Sequence, residues 1–166
     1  MIAERVFGTG SAAGRVVAMD LRDDRMGRLR ENAGRMGFDR VEIVAGDAVG
    51  AKEALGGAMF DAVLADVPCS NTGVLSRRPD ARWRFSMERM KKLVQTQRAI
   101  LDGLAGVVKP GGRLVYSNCS IEHEESGGLV SDWVSGSPDF TLVSERVLVP
   151  PESGTDGAYT ALFRRK

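Results

Sequence analysis

Histidine and cysteine are scarce in this 166-residue, 17.9 kDa chain: one His, His123, and two Cys, Cys69 and Cys119. A lone histidine excludes a His-rich metal site, and two cysteines exclude a disulfide scaffold. No apolar run approaches the ~20 residues of a membrane-spanning helix. No basic-then-apolar leader opens the chain. Charge of one sign is also lacking: 23 Lys and Arg face 22 Asp and Glu, a formal +1, so bulk charge announces no nucleic-acid partner. Apolar residues make up 43%, enough at this size for a core without staples. The expectation is one soluble, cytoplasmic domain over residues 1–166, with no membrane and no metal.

Hydrophobic periodicity alternates strand and helix. Arg15–Asp20 reads as a strand ending in an acid. Residues 22 to 37 carry Met26, Leu29, Ala33 and Met36 at helical spacing and stop at Gly37. Val41–Val44 is a strand running into Gly46-Asp47, and Phe60–Asp66 is a third. A polar loop from Val67 to Phe85 leads to Ser86, an N-cap for a helix from Met87 to about Val108. On that helix Met90, Leu93, Val94, Gln97 and Leu101 share one face, and Lys109-Pro110-Gly111-Gly112 is expected to terminate it. Leu114–Ser117 is a strand, an acidic helix follows around Glu122–Trp133, and two strands, about Thr141–Val149 and Ala158–Arg164, close the chain with no helix between them.

Strands separated by crossover helices predict a mostly parallel α/β sheet with an antiparallel pair at its end. Ligands of such sheets sit at the carboxyl ends of the strands. Asp20, Asp47 and Asp66 arrive there, which suits a ligand rich in hydroxyls and amines; Asp is equally a common cap and turn residue. Gly8-Thr9-Gly10-Ser11-Ala12-Ala13-Gly14 looks like a nucleotide loop, but it precedes a strand instead of following one. The helix N-terminus that would face a phosphate is therefore missing, and a connecting loop is the reading.

Both cysteines follow strands, in Asp66-Val67-Pro68-Cys69-Ser70-Asn71-Thr72-Gly73 and Tyr116-Ser117-Asn118-Cys119-Ser120. A parallel sheet puts both thiols on one edge. A free Cys is usually a small buried hydrophobe, yet these two occupy polar strand-end loops. A disulfide between them is the minor reading.

The first passage, extended by Val74-Leu75 and followed by Arg78-Pro79-Asp80 and Arg82-Trp83, resembles the fourth motif of the Sun/Fmu family, RNA cytosine-5 methyltransferases of the ribosomal small-subunit type. Tyr116–Glu122 with Glu124-Glu125 is similar to that family's sixth motif, and Asp156-Gly157-Ala158 with Leu162-Phe163 resembles its C-terminal signature. The likeness covers about Gly14 to Lys166. It departs at Asn71 and Asn118, where the family usually shows Gly and Thr, and at His123, where it shows Pro. Asn tolerates left-handed backbone, so Asn71 is a mild change, whereas Asn118 could retune hydrogen bonding at the adjacent thiol.

The resemblance implies a Rossmann-like S-adenosylmethionine-dependent methyltransferase fold acting on ribosomal RNA. Carbon 5 of cytosine is a poor nucleophile, so a thiolate first adds to carbon 6. The family pattern gives that attack to Cys119, release to Cys69, and contact with the cytosine ring to Asp66. Asp20 would take the ribose hydroxyls of S-adenosylmethionine, with Asp47 near the adenine and Arg25 and Asp66 also beside the cofactor. Cytosine DNA methyltransferases attack with a Pro-Cys thiol, which would give Cys69 that role; Cys119 in its own Ser-Asn-Cys-Ser motif favours the RNA assignment.

Local charge points the same way. Residues 71 to 98 hold eight basic and two acidic residues, and the remainder holds fifteen basic and twenty acidic. The near-neutral total hides a basic segment whose Arg77, Arg78, Arg82, Trp83 and Arg84 combine cation and aromatic, as single-stranded RNA requires. A solvated helix face with core aromatics is the plain alternative.

The family's Ala-Pro-Gly-Gly-Lys type cofactor loop and the strand before it find no counterpart ahead of Val16. The chain is therefore expected to be N-terminally truncated, as a cut chain or a misplaced start, and impaired in binding the cofactor. A non-catalytic RNA-binding remnant or regulator of the same ancestry is the alternative function.

Overall fold

Why these residues form their elements is clearest where the two sequence periods meet burial. The computed structural model describes residues 14–21, 23–38, 40–150 and 152–166. The Gly8–Gly14 loop assignment therefore falls largely outside the described residues. The chain divides into two compact units, residues 1–57 and 58–166.

In the first unit, β1 (Val16–Asp20) and β2 (Val41–Ala45) pair in parallel, with Val16 opposite Val41 and Asp20 opposite Ala45. Helix α1 (Asp23–Arg35) joins them. Of its apolar face only Met26 is deeply buried, while Leu29 and Met36 remain exposed. Gly37, at φ 69°, ends the turn, and the Phe38 amide closes back on the Ala33 carbonyl at 2.9 Å. A 3-10 turn, Ala48–Gly50, and the short α2 (Ala51–Ala54) follow.

The second unit is built on a four-stranded sheet in the order β3-β4-β6-β5, from β3 (Phe60–Asp66), β4 (Val108–Asn118), β5 (Phe140–Leu148) and β6 (Ala158–Arg165). β3 and β4 are parallel; β6 is antiparallel to both β4 and β5. The expected antiparallel pair is thus present, with β6 inserted between β4 and β5. Along β4, Leu114, Tyr116 and Asn118 alternate inward, and Tyr159, Ala161 and Phe163 do so along β6. Between β3 and β4 lies the long α4 (Met87–Ala105), preceded by the one-turn α3 (Ala81–Arg84); α5 (Gly127–Ser135) follows β4. Ser86 caps α4 by accepting from the Arg89 amide at 3.2 Å. Met90, Gln97, Leu101 and Leu104 form its buried face. Trp133 of α5 packs on Phe163 and Phe140, with ring centroids 4.9 and 5.3 Å away, and its indole N–H donates to Asp102 at 2.8 Å.

Two expectations are corrected. Lys109–Gly112 does not terminate the helix; α4 ends at Ala105, and these residues lie inside β4. Phe60 pairs with Val108 and Ala62 with Arg113, so four residues of β4 bulge opposite Asp61. Proline is tolerated there because a bulge needs no ladder N–H, and Gly111 takes φ 75°. Lys109 pins the bulge to Asp61 at 3.0 Å. The acidic helix is also not continuous: residues His123–Glu125 form a 3-10 turn, and the α-helix begins at Gly127.

Candidate active site

Because β3 and β4 run in parallel with Asp66 opposite Ser117, both strands deliver their loops to the same edge. The sulfurs of Cys69 and Cys119 meet there, 3.2 Å apart and unbonded. The same-edge placement expected from the sequence is what the register produces.

Four hydrogen bonds set this meeting. Asn71 adopts φ 62°, so its side chain turns back on the loop: its Nδ2 donates to the Cys69 carbonyl at 2.9 Å, and its Oδ1 accepts from the Cys119 thiol at 3.2 Å. The Gly73 amide donates to the Cys119 carbonyl at 3.0 Å, and the Gly157 amide to the Gly73 carbonyl at 2.7 Å. A Cβ on Gly73 would lie 2.5 Å from the Gly157 oxygen and 2.9 Å from the Cys119 oxygen, so only glycine fits. The three sequence motifs are thus stitched into one cluster by backbone.

Beneath the thiols is a buried polar layer. Glu125 accepts from the Ser70 amide at 3.0 Å, from the Ser70 hydroxyl, from the Ser120 hydroxyl at 2.7 Å and from Gln97 Nε2 at 3.0 Å. Gln97 also donates to the Pro68 carbonyl at 2.9 Å. Asn118 does not reach the thiol: its Nδ2 donates to the Glu125 carbonyl at 2.7 Å and its Oδ1 accepts from the Ser120 amide at 2.9 Å. Its effect is on the loop instead.

The two thiols are electrostatically unlike. A hydrogen bond donated by Cys69 holds Cys119 down to about 7, with burial and the Asp66 carboxylate opposing and Arg78 assisting. Donating that bond, together with burial, pushes Cys69 well above the usual thiol range. The pair therefore ionises at Cys119, with Cys69 retaining the proton. Tyr116, whose hydroxyl donates to the Glu125 carbonyl at 2.7 Å, is raised chiefly by burial.

The other sequence candidates divide. Asp66 ends β3 close enough to act on Cys119. In the first unit Asp20 and Asp47 stand at the carboxyl ends of adjacent strands; Arg25 lies 3.4 Å from Asp20, and Asp47 caps the following turn by accepting from the Val49 amide at 3.0 Å. In the basic segment, Arg78 and Arg84 join Arg89, Phe85 and Met90 around a pocket that opens beside Cys69. Arg84 lies 3.2 Å from Asp80. Arg77 is instead paired with Asp156 of the C-terminal motif, and neither Arg82 nor Trp83, 84% exposed, lines the pocket. Glu125, Gln97, Gly73 and Arg89 were not singled out by sequence reasoning. The Glu124-Glu125 pair was visible in the motif, but nothing local distinguishes its buried member from its solvated one. Among the described residues, no group of three His, Cys, Asp or Glu side chains gathers to hold a metal, and no helix is long and apolar enough to cross a membrane.

The chain is similar to known proteins in sequence and in fold. Over 157 residues the chain is 36% identical to ribosomal RNA small subunit methyltransferase B of Vibrio cholerae, covering 91% of this chain and 36% of the relative. The chain thus spans well under half the length of that relative. The crystal structure of PH0851 superposes with a TM-score of 0.87 at 33% identity, over 92% of this chain and 37% of that one. The structure of NSun6 from Pyrococcus horikoshii with SFG gives a TM-score of 0.82 at 25% identity, over 92% and 41%. The architecture is the Rossmann-like α/β methyltransferase fold that the cysteine motifs implied. With residues 8–164 matched, a span that includes both cysteine loops and the C-terminal motif, the chain belongs to the 16S rRNA methyltransferase RsmB/F family.

Proposed function

We propose that this chain is catalytic machinery of an S-adenosylmethionine-dependent methyltransferase that acts on carbon 5 of a cytosine in ribosomal RNA. The observation that carries the reading is the 3.2 Å approach of two unlike thiols, one held near neutrality as a thiolate and the other kept protonated beside it. One nucleophile and one proton-bearing partner are what addition and release at a cytosine ring require.

The Cys119 thiolate adds to carbon 6, forming an S–C bond and shifting the ring double bond into an enamine. Asp66, at the same strand edge, steadies the ring at nitrogen 3 and its amino group. Carbon 5 would then take the methyl group from the sulfonium, whose S–CH3 bond breaks and leaves its electron pair on sulfur as a neutral thioether. A base removes the proton from carbon 5, the electron pair re-forms the ring double bond, and the S–C bond breaks to return the thiolate; Cys69 serves this release. When bound, S-adenosylmethionine supplies an electrophilic methyl on a sulfonium. The donor set of the first unit fits it: carboxylates at the ends of two neighbouring parallel strands suit ribose hydroxyls (Asp20) and the adenine amine (Asp47), and Arg25 orients Asp20. Arg78, Arg84 and Arg89 beside Cys69 suit the phosphates flanking the target base, and exposed Trp83 offers a stacking surface.

The test is covalent capture of the full chain on RNA containing 5-azacytidine, with S-adenosylmethionine present. An adduct stable on a denaturing gel is expected, lost in Cys119→Ala and retained in Cys69→Ala. No adduct from the unmodified chain, or one that survives Cys119→Ala, refutes the assignment.

A further inference from the structure

Glu125 is fully buried at 0% exposure and takes no part in the chemistry above. Its position is nonetheless singular. Its carboxylate holds the residue after each thiol: Ser70, through amide and hydroxyl, and Ser120, through the hydroxyl. Gln97 of α4 donates to Oε1, the oxygen that also accepts from the Ser70 amide, while gripping Pro68 on the other side of Cys69. The Glu125 carbonyl in turn receives Asn118, the residue before Cys119, and Tyr116 from β4. One residue thus fastens both thiol loops, and its side chain faces only donors.

We propose that Glu125 is a positioning residue whose carboxylate fixes the separation of the Cys69 and Cys119 sulfurs. Its bearing on catalysis rests on the cytosine chemistry proposed above. Four donors converge on two oxygens, an arrangement that suits a group with acceptors alone. Glutamine is almost the same size, but its NH2 must face at least one of those donors. A loop so released withdraws the Cys69 thiol from Cys119, and the charge-assisted bond between them weakens.

The experiment follows alkylation of Cys119 by iodoacetamide across pH, resolved by peptide mass mapping, in the full chain and in Glu125→Gln. The midpoint near 7 is expected to rise toward the usual 9.0, with alkylation at pH 7 slowed about two- to fivefold. Circular dichroism establishes that the variant is folded. If Glu125 only fills space, glutamine fills it equally and the profile stays put; an unchanged or lowered midpoint overturns the proposal. Should Glu125→Gln fail to fold, Ser120→Ala, which removes the hydroxyl that ties the Cys119 loop to Glu125 together with its contacts to Ser70, Thr72 and the Glu122 amide, decides in the same way: a raised midpoint supports the proposal and an unmoved one ends it. The assay needs neither RNA nor methyl donor. Failure to capture RNA would therefore leave this proposal standing, and an unmoved profile would leave the adduct chemistry standing.

Discussion

Replacing Cys69 with alanine removes the donor 3.2 Å from the Cys119 sulfur, the largest influence lowering that thiol. Of what remains, burial and the Asp66 carboxylate act upward and outweigh the Cys119 backbone amide and Arg78, which act downward, so Cys119 returns to about the usual 9.0 from about 7. At pH 7 the thiolate fraction then drops from about one half to about one hundredth, roughly 50-fold. A more basic thiolate is a better nucleophile, and a Brønsted slope of 0.4–0.5 returns about eightfold. The net expectation is alkylation by iodoacetamide about sixfold slower in Cys69→Ala at pH 7. Above the new midpoint the order reverses, and the variant reacts about eightfold faster, so the two pH profiles cross near pH ~8. Rates are read by mass spectrometry of the Cys119 peptide, with circular dichroism as the check on folding. A folded variant whose midpoint stays near 7 would show that Cys69 does not ionise its neighbour, and the division of labour between the thiols would fail with it.

Three further outcomes are expected. Diamide should oxidise Cys69 and Cys119 to an intramolecular disulfide, since the sulfurs need close only from 3.2 Å to about 2.05 Å; peptide mapping without reduction reads it, and dithiothreitol should restore iodoacetamide labelling. Gly73→Ala should cost about 1–3 kcal/mol in denaturant unfolding, because its Cβ meets backbone at 2.5 Å and no flexible side chain can give way; an unchanged midpoint would contradict the close stitching of the motifs. In filter binding to single-stranded RNA, Arg78→Ala should flatten the salt dependence by about 0.7 in log–log slope, whereas Arg77→Ala, whose guanidinium is already paired with Asp156, should change it less.

Much of the architecture was legible because its signals are local. β3 reads correctly from Phe60 to Asp66, and the Ser86 cap marks the start of α4. The errors arise where a distant partner decides. Pro110 and two glycines look like a helix stop, yet with Asp61 opposite they make a bulge in β4. Leu29 and Met36 have helical spacing but stay exposed, since periodicity states a face and not what covers it. Arg77 and Arg78 are adjacent in sequence, but Asp156 claims one and the pocket beside Cys69 the other.

The sequence by itself determined the family, the order of strands and helices, and the two thiols as candidate reactive groups, because motif residues and hydrophobic periods are written in neighbouring positions. Tertiary structure alone decided how those groups behave. Parallel register between β3 and β4 sets the sulfurs 3.2 Å apart, which makes Cys119 the thiolate and Cys69 the proton holder. It also buried Glu125 under both loops while its neighbour Glu124 stayed at the surface. Ionisation and hydrogen bonding depend on distances of a few ångströms between residues some fifty positions apart, and those distances exist only once the chain has folded.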